Sequence, residues 1–402
     1  MVQKNCLLVT THYRPLIGGA LTVYDALAAR AGGAISVLTA NTDYTTGAEA
    51  KGWQAFDADC GYKITRVTEM RTGLLPTGIG IFGKIAARIK AAKLHQKILT
   101  ETVRLVKEGN ISVVCIGAQD ALGWMVEPLK KQTDAKVIIY VHGEEVSQNA
   151  HSEKAERTRR AVLNATDGLV AVSSFTSGLL QHKYGVPAER ITLQNNGVDL
   201  EKYTGDLPVS ARENAGLPKG SFVFACGRLV QRKGFDKLIE AWPAVVKAVP
   251  ETTLVIGGGG PLEAKLKARI ALLRIEDSVQ MAGWMSEEQM AAAYGLAEVF
   301  TMPNRTMPDG DTEGFGLVFL EAAAMGTPSV GGRAGGAVDA ILEGETGLFV
   351  DGNRPDEISD ALIRLLKDDS LRSAMAKGAQ DYARTQGWQS KTDQFLAYIN
   401  GL

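Results

Sequence analysis

Long hydrophobic runs are absent from this sequence of 402 residues: nowhere do about 20 apolar residues, the number that spans a bilayer as a helix, follow one another. The start of the chain also lacks the basic segment and longer apolar stretch of a secretory signal, since the apolar run Cys6–Thr10 has only the length of a strand. The sequence therefore predicts no helical membrane span and indicates a cytoplasmic protein.

Cysteine and histidine are both scarce, with four and five residues respectively. The cysteines show no paired spacing, and three of them lie in apolar strand-like runs, which favours buried free thiols over disulfides. The histidines do not cluster, and no spacing typical of a zinc site occurs. We therefore expect no metal site and no resident cofactor.

A strong excess of either charge is missing as well, since the net charge is −1 at pH 7, and we expect no nucleic-acid partner. Segment 73–97 is locally different: it contains no acidic residue and passes from an apolar, glycine-punctuated stretch into a basic helical pattern. This combination resembles a peripheral contact with an anionic membrane. An alternative is an ordinary loop and surface helix, with Ile85, Ile89 and Ala92 facing a protein core.

Apolar strand-like runs alternate with helical patterns along the chain, which is typical of parallel sheets built from βαβ units. In the first half we predict strands at Cys6–Thr10, Ala34–Leu38, Val113–Gly117, Val137–Val141 and Leu169–Val172. In the second half we predict strands at Phe222–Cys226, Thr253–Ile256, Val279–Ala282, Val299–Met302, Pro328–Val330 and Gly347–Phe349. The sequence thus predicts an α/β protein with two doubly wound domains and a cleft between them.

Ligands of doubly wound sheets bind beyond the carboxyl ends of the strands, and several polar or glycine-rich segments follow predicted strands here. Gly19 follows the first strand and its loop, His142 follows Val137–Val141, and Arg228 follows Phe222–Cys226. Gly257–Gly260 follows another strand, but its spacing does not give the third glycine of a dinucleotide-binding turn. Taken one at a time, the glycine clusters favour ordinary turn geometry.

Arg228 and Lys233 leave a predicted strand through a loop that enters a helix, so both cations can converge on an anion. A diphosphate suits them, because arginine offers a bidentate fork and lysine a point charge. Asp309 and Asp311 raise the alternative of a metal-bound diphosphate, but the two cations already supply countercharge without a metal.

Two carboxylates, Glu313 and Glu321, are eight positions apart around a glycine-rich turn that enters a helix predicted over Phe315–Met325. The free backbone N–H groups at such a helix start suit a negatively charged ligand beside Glu313, and Glu321 would lie about two turns further on. The alternative is an amphipathic helix with Glu321 simply solvated.

Taken together, these segments resemble the retaining glycosyltransferases of family 4, which have the GT-B fold of two Rossmann-like domains facing a central cleft. The resemblance rests on the Glu-x7-Glu element from Glu313, on Gly227-Arg228-Leu229 with Lys233-Gly234, on Asn196–Asp199, on Gly335-Gly336, on Ile17-Gly18-Gly19 and on His142. It implies an N-terminal acceptor-binding domain over 1–200, a C-terminal donor-binding domain over 201–380, and a helix over 381–402 that crosses back.

The resemblance also implies a role for each matching residue. It places Arg228 and Lys233 on the donor diphosphate, Glu313 on hydroxyls of the transferred sugar, and His142 beside that sugar; these are the implied catalytic residues. Further donor contacts are implied for Gly19, Asn196, Gly283, Trp284, Met285, Phe315, Gly316, Leu317 and Glu321. Within this set, Glu321 holds the ribose and the base lies against Gly283–Met285. No metal is implied.

The loop 304–312 is longer than is usual before the Glu-x7-Glu element and resembles the branch that contains phosphatidylinositol mannosyltransferases. This likeness implies transfer of a hexose from GDP-mannose or a UDP-hexose to a lipid-linked or glycan acceptor, with Arg305 contacting an acceptor phosphate. Together with segment 73–97, it suggests a peripheral position on the inner face of the cell membrane. The alternatives are a GT-B nucleotide-sugar epimerase and a catalytically silent nucleotide-sugar binding protein.

Overall fold

The chain divides into two units, each built on one parallel sheet, in the computed structural model, which describes residues 3–72 and 80–402. Unit 1 contains residues up to Val172, Ser177–Gln194 and Gln389–Leu402, and unit 2 contains Ser173–Thr176 and Asn195–Trp388. The first part of the predicted membrane segment, residues 73–79, lies outside the described residues.

Among the described residues, unit 1 contains a seven-stranded sheet in which every neighbouring pair is parallel, with the order β3-β2-β1-β4-β5-β6-β7. This order is the doubly wound arrangement with one added strand. Its strands are β1 (Asn5–Val9), β2 (Ile35–Ala40), β3 (Ile64–Val67), β4 (Ile111–Ile116), β5 (Lys136–Val141), β6 (Gly168–Ala171) and β7 (Ile191–Leu193).

Unit 2 contains, within the described ranges, a six-stranded parallel sheet with the order β10-β9-β8-β11-β12-β13. Its strands are β8 (Phe222–Cys226), β9 (Thr253–Gly257), β10 (Val279–Gly283), β11 (Val299–Met302), β12 (Ser329–Gly332) and β13 (Gly347–Val350). All residues of β8 and β11 are buried, as expected for central strands covered on both faces. Because β8 and β11 are neighbours, the loops that follow them meet at one edge of the sheet.

Helices connect the strands in both units. Up to residue 182 they are α1 (Gly19–Arg30), α2 (Trp53–Asp59), α3 (Ile81–Glu108), α4 (Gln119–Leu122), α5 (Val126–Gln132), α6 (Glu144–Ser147), α7 (Glu153–Ala165) and α8 (Ser174–His182). Further along they are α9 (Ala211–Asn214), α10 (Phe235–Ala248), α11 (Glu263–Leu273), α12 (Glu287–Leu296), α13 (Leu317–Ala324), α14 (Pro355–Lys367), α15 (Asp369–Thr385) and α16 (Trp388–Gly401). No helix in the described part of the chain is both long and apolar enough to cross a membrane.

The last residues of the chain pack within unit 1. Gln194 donates a hydrogen bond from its side-chain amide to the carbonyl of Lys391 at 2.5 Å, and the rings of Tyr140 and Phe395 lie 6.1 Å apart. Lys4 also donates its backbone N–H to the side chain of Asn400 at 2.9 Å. Residues 389–402 are therefore part of the unit 1 core although they follow unit 2 in sequence.

The predicted α/β class with two doubly wound domains is confirmed, and every predicted strand is present, with bounds that differ by about two residues at most. Two strands, β3 and β7, were missed. The four cysteines are unpaired, and Cys6, Cys115 and Cys226 are buried in strands, as expected. Burial raises the pKa of Cys6 and of Cys226 to about 12, so these thiols stay protonated near neutral pH.

Candidate active site

The loop after β8 carries the two predicted phosphate-binding cations. Arg228 is exposed and has no ion-pair partner among the described residues, whereas Lys233 is only 9% exposed. Gly234 follows in the left-handed region, with φ of 76°, and a Cβ there would overlap the carbonyl oxygen of Pro303. Glycine at this position therefore lets the loop pack directly against the end of β11.

The loop after β11 brings Glu313 to Lys233. The Lys233 ammonium lies 2.6 Å from the Glu313 carboxylate, and Glu313 is also 9% exposed. Burial alone would raise the pKa of Glu313, but the attraction of Lys233, followed by that of Arg232, brings the pKa below its ordinary value. Glu313 is therefore an ionised carboxylate beside a cation at neutral pH, and the structure joins two of the predicted site residues in one contact.

The helix after Glu313 begins later than predicted. Gly316 adopts a left-handed conformation with φ of 90°, so α13 begins at Leu317 and not near Phe315. Phe315 is buried, and its backbone N–H hydrogen-bonds the Glu313 carboxylate. The turn predicted as the first turn of a helix is thus a separate loop that holds the carboxylate.

Glycines after β12 fix the backbone of this loop. The N–H of Gly336 donates to the carbonyl of Glu313 at 2.8 Å, and a Cβ at Gly336 would overlap the carbonyl oxygen of Gly314. A Cβ at Gly335 would overlap the carbonyl oxygen of Glu313. The Gly335-Gly336 pair therefore places Glu313 through close backbone contact rather than through a side chain.

Glu321 lies within α13 and is half-buried rather than simply solvated. Tyr294 donates its hydroxyl proton to the Glu321 carboxylate at 2.7 Å, and the Cys226 thiol lies 3.2 Å from the same hydroxyl. Burial raises the pKa of Glu321 above its ordinary value. No hydrogen bond or ion pair links Glu321 to Glu313 or Lys233 among the described residues, so the two glutamates belong to separate contacts.

The predicted base-binding segment, Gly283–Met285, begins at the last residue of β10. Gly283 ends that strand in the left-handed region with φ of 69°, the indole of Trp284 is 72% exposed, and Met285 is buried. The chain thus turns at Gly283, exposes the ring of Trp284 to solvent and buries Met285.

Two predicted residues of unit 2 are enclosed. Arg305 is 7% exposed, and its guanidinium lies 2.8 Å from the Asp236 carboxylate in the first turn of α10. An acceptor contact by Arg305 stays a prediction and would require this ion pair to open. Asn196 is 4% exposed, and its side-chain oxygen has no hydrogen-bond partner among the described residues. A buried amide oxygen without a hydrogen-bond partner costs free energy.

The predicted residues of unit 1 are Gly19, which begins α1, and His142, which follows β5. The His142 ring is half-buried, its Nε2 lies 2.7 Å from the Tyr24 hydroxyl, and it stacks on Tyr140 with 5.2 Å between ring centroids. Burial lowers the pKa of His142 to about 4, so the imidazole is neutral at physiological pH. The Glu145 carboxylate accepts the backbone N–H of His142 at 2.7 Å.

Two residues of these contacts were missed by the sequence analysis, Tyr24 in α1 and Tyr294 in α12. Both are buried aromatic residues on helices and follow the pattern of ordinary core positions. Only the hydroxyl groups, which meet His142 and Glu321, distinguish them from core residues. The described residues contain no group of three His, Cys, Asp or Glu side chains that could hold a metal ion.

Solved structures share this fold over nearly the whole chain. A structure of HepE from Anabaena with UDP and glucose aligns with a TM-score of 0.77 and 19% identity, covering 99% of this chain and 100% of that one. Sucrose-phosphate synthase from Thermosynechococcus elongatus aligns with a TM-score of 0.75 and 21% identity, covering 99% of both chains. The two parallel-sheet units therefore define the GT-B fold of glycosyltransferases.

Sequence comparisons identify the family. Residues 210–382 match the family described as Glycosyl transferases group 1, and residues 20–202 match Glycosyltransferase Family 4. A GDP-mannose-dependent α-(1-6)-phosphatidylinositol monomannoside mannosyltransferase of Mycolicibacterium smegmatis is 33% identical over 96% of this chain and 95% of its own. The enzyme of that name from Mycobacterium tuberculosis H37Rv is 30% identical over 99% of both chains. The chain belongs to glycosyltransferase family 4.

Proposed function

We propose that the protein is a retaining mannosyltransferase that moves mannose from GDP-mannose to a lipid-linked acceptor. The observation that carries this proposal is the buried ion pair between Lys233 and Glu313, which lie in the loops after the neighbouring strands β8 and β11. On this proposal Lys233 is the cation for the diphosphate and Glu313 the carboxylate for the sugar. The donor and acceptor classes are supported by the names of relatives that match nearly the whole chain.

The donor is held by opposite charges at its two ends. Arg228 and Lys233 bind the diphosphate and neutralise the charge that develops on it as it leaves, while Glu313 accepts hydrogen bonds from hydroxyls of the transferred sugar. Glu321 holds the ribose, with Tyr294 fixing one carboxylate oxygen at 2.7 Å. The base lies against Gly283–Met285. Because the cations already balance the diphosphate, the reaction does not require a metal ion.

The transfer breaks the bond between the anomeric carbon and the phosphate oxygen, and the electron pair leaves with GDP. Positive charge then develops on the sugar ring. The acceptor hydroxyl attacks the same face, its oxygen bonds to the anomeric carbon, and its proton passes to the departing phosphate oxygen. This course retains the anomeric configuration and needs no nucleophile from the protein.

Calorimetric titration of the protein with GDP, UDP and ADP, without added metal, tests the donor site. We expect one nucleotide to bind, GDP on this proposal, and Arg228→Ala to weaken binding by about tenfold to a hundredfold, because a hydrogen bond to a charged group contributes roughly 1.5–3 kcal/mol. Arg364→Ala, on the exposed side of α14, is the matched control and should bind like the wild type. Failure of all three nucleotides to bind would contradict the proposal.

We also propose that the start of α3 contacts the inner face of the cell membrane. Phe82, Ile85 and Ile89 are 89%, 48% and 53% exposed, and their spacing of three and four residues places them on one helix face. Ile85 and Ile89 are thus too exposed for the alternative in which they face the core of this chain. Lys84 and Arg88 add positive charge beside this face, a combination that suits anionic lipid.

Replacing Phe82, Ile85 and Ile89 by Ser together is expected to reduce binding to phosphatidylglycerol-containing vesicles by more than about tenfold, since each buried apolar side chain contributes roughly 1.5–3 kcal/mol. Vesicle co-sedimentation at low and high salt measures this. Val209→Ser combined with Leu272→Ser removes exposed apolar side chains elsewhere and should leave binding unchanged. Equal vesicle binding by the wild type and the triple variant would rule out this contact surface.

A further inference from the structure

A chain of two hydrogen bonds links His142 to the backbone of unit 1 through Tyr24. The Tyr24 hydroxyl lies 2.5 Å from the carbonyl oxygen of Gly117, directly after β4. A carbonyl oxygen only accepts hydrogen bonds, so the single hydroxyl proton of Tyr24 is donated to Gly117. A Cβ at position 117 would lie 2.7 Å from the Tyr24 hydroxyl oxygen, so glycine leaves the space that this contact occupies.

Because the Tyr24 hydroxyl proton is donated to Gly117, the position of the hydrogen on the His142 ring is determined as well. Nε2 of His142 lies 2.7 Å from the same Tyr24 oxygen, which has only lone pairs left to offer. Nε2 must therefore be the donor in this contact. A neutral imidazole has one N–H group, so Nδ1 carries a lone pair and can only accept. Burial keeps His142 neutral near neutral pH, so the ring does not gain a second N–H group by protonation.

No other side chain among the described residues competes for the His142 ring nitrogens. Tyr140 stacks on the ring, but its buried hydroxyl has no hydrogen-bond partner in the described part of the chain. The Glu145 carboxylate accepts the backbone N–H of His142 and not a ring nitrogen. Nδ1 of His142 likewise has no hydrogen-bond partner among the residues that the structure describes. An acceptor of fixed position is thus left for a ligand.

We propose that Tyr24 is a positioning residue that holds His142 in the Nε2–H tautomer, so that Nδ1 accepts a hydrogen bond from a hydroxyl of the transferred sugar. The second half of this statement rests on the proposed function, whereas the tautomer follows from unit 1 alone. In this arrangement His142 neither donates a proton to the leaving group nor carries charge. It fixes the orientation of the sugar.

Nitrogen-15 NMR of the protein labelled at histidine tests the tautomer without any ligand. We expect the His142 signals, assigned with His142→Gln, to show a protonated Nε2 and an unprotonated Nδ1 at pH 7. Tyr24→Phe removes the acceptor and should give a mixture of the two tautomers. Tyr140→Phe is the matched control, because it removes a hydroxyl without a partner beside the same ring, and it should leave the tautomer unchanged.

Addition of GDP-mannose is expected to shift the Nδ1 resonance of the wild type, while GDP alone leaves it in place, because only the sugar supplies the hydroxyl. In transfer assays Tyr24→Phe should lower kcat by about tenfold to a hundredfold, by analogy with residues that orient metal-bound histidines, and the kcat of Tyr140→Phe should be unchanged.

A protonated Nδ1 in the wild type, or an unchanged tautomer in Tyr24→Phe, would overturn the proposal. A kcat of Tyr24→Phe equal to that of the wild type would also overturn it, even if the wild type shows the expected tautomer. The same holds if the wild type binds GDP-mannose but its Nδ1 resonance does not shift. If the wild type binds no nucleotide sugar while the tautomer is as expected, the proposed function fails and the sugar contact fails with it, but the Tyr24–His142 assignment stands.

Discussion

Glu313→Gln is expected to lower the rate of transfer by at least about a hundredfold, the effect of removing one group that stabilises developing charge. The carboxylate is ionised because Lys233 lies 2.6 Å away. On the proposed function, its negative charge stabilises the positive charge that develops on the sugar. Glutamine has nearly the same shape and keeps an oxygen that accepts hydrogen bonds, but it has no charge. The loss should therefore appear in kcat rather than in donor binding.

The measurement is the initial rate with labelled GDP-mannose and a lipid acceptor extract, together with calorimetric binding of GDP. Binding of GDP should be retained or strengthened in Glu313→Gln, because Lys233 no longer shares its charge with a carboxylate. Glu345→Gln, an exposed glutamate of the same unit, is the matched control. A folded Glu313→Gln protein with wild-type turnover would show that Glu313 is not a site residue.

The central strands could be predicted closely from the sequence because burial on both faces demands continuous apolar runs. Phe222–Cys226 and Val299–Met302 were predicted with the bounds of β8 and β11. The missed strands, β3 and β7, are the two edges of the unit 1 sheet, and their residues are only partly buried or exposed. An edge strand needs no apolar run, so the sequence carries little signal for it.

Contacts within the candidate site were predictable only where strand ends fixed them. Lys233 and Glu313 are far apart in sequence, but each follows a strand, and β8 and β11 are neighbours in the doubly wound order. The ion pair of Arg305 with Asp236 depends on how a loop meets the first turn of α10, which no local pattern specifies. The start of α13 also depended on one backbone conformation, that of Gly316, which apolar periodicity does not reveal.

The aromatic partners of the site show a further limit of sequence patterns. Tyr24 and Tyr294 satisfy the helical periodicity of core residues, and their rings are fully buried. Their hydroxyl groups contact residues outside the helices that carry the tyrosines. The helical pattern of apolar residues shows only which helix face is buried, so it does not reveal these contacts. Structure was needed to show that His142 and Glu321 each have a tyrosine partner.

Lys233→Met is expected to remove diphosphate binding and also to lower the free energy of unfolding by about 3–5 kcal/mol, since breaking one partner of a buried ion pair leaves an uncompensated charge. Methionine keeps most of the side-chain volume, so the loss is electrostatic. The double variant Lys233→Met/Glu313→Gln contains neither charge and should recover most of the stability while remaining unable to bind GDP. Urea unfolding of the four proteins, followed by circular dichroism, measures the coupling of the two sites.

The pH dependence separates this electrostatic effect from a packing defect. In the wild type the pKa of Glu313 is lowered from its ordinary value of about 4.5. The ion pair therefore stabilises the fold fully above that unfolded-state pKa, and this contribution is lost as pH falls through the lower folded-state pKa. In Lys233→Met the carboxyl keeps its burial without its cation, so its folded pKa should lie above the unfolded value. The variant should then gain stability relative to the wild type as pH falls from 7 toward 5, because its carboxyl becomes protonated. A stability difference that stays constant over this pH range would indicate lost packing at Lys233 instead of an unpaired Glu313 charge.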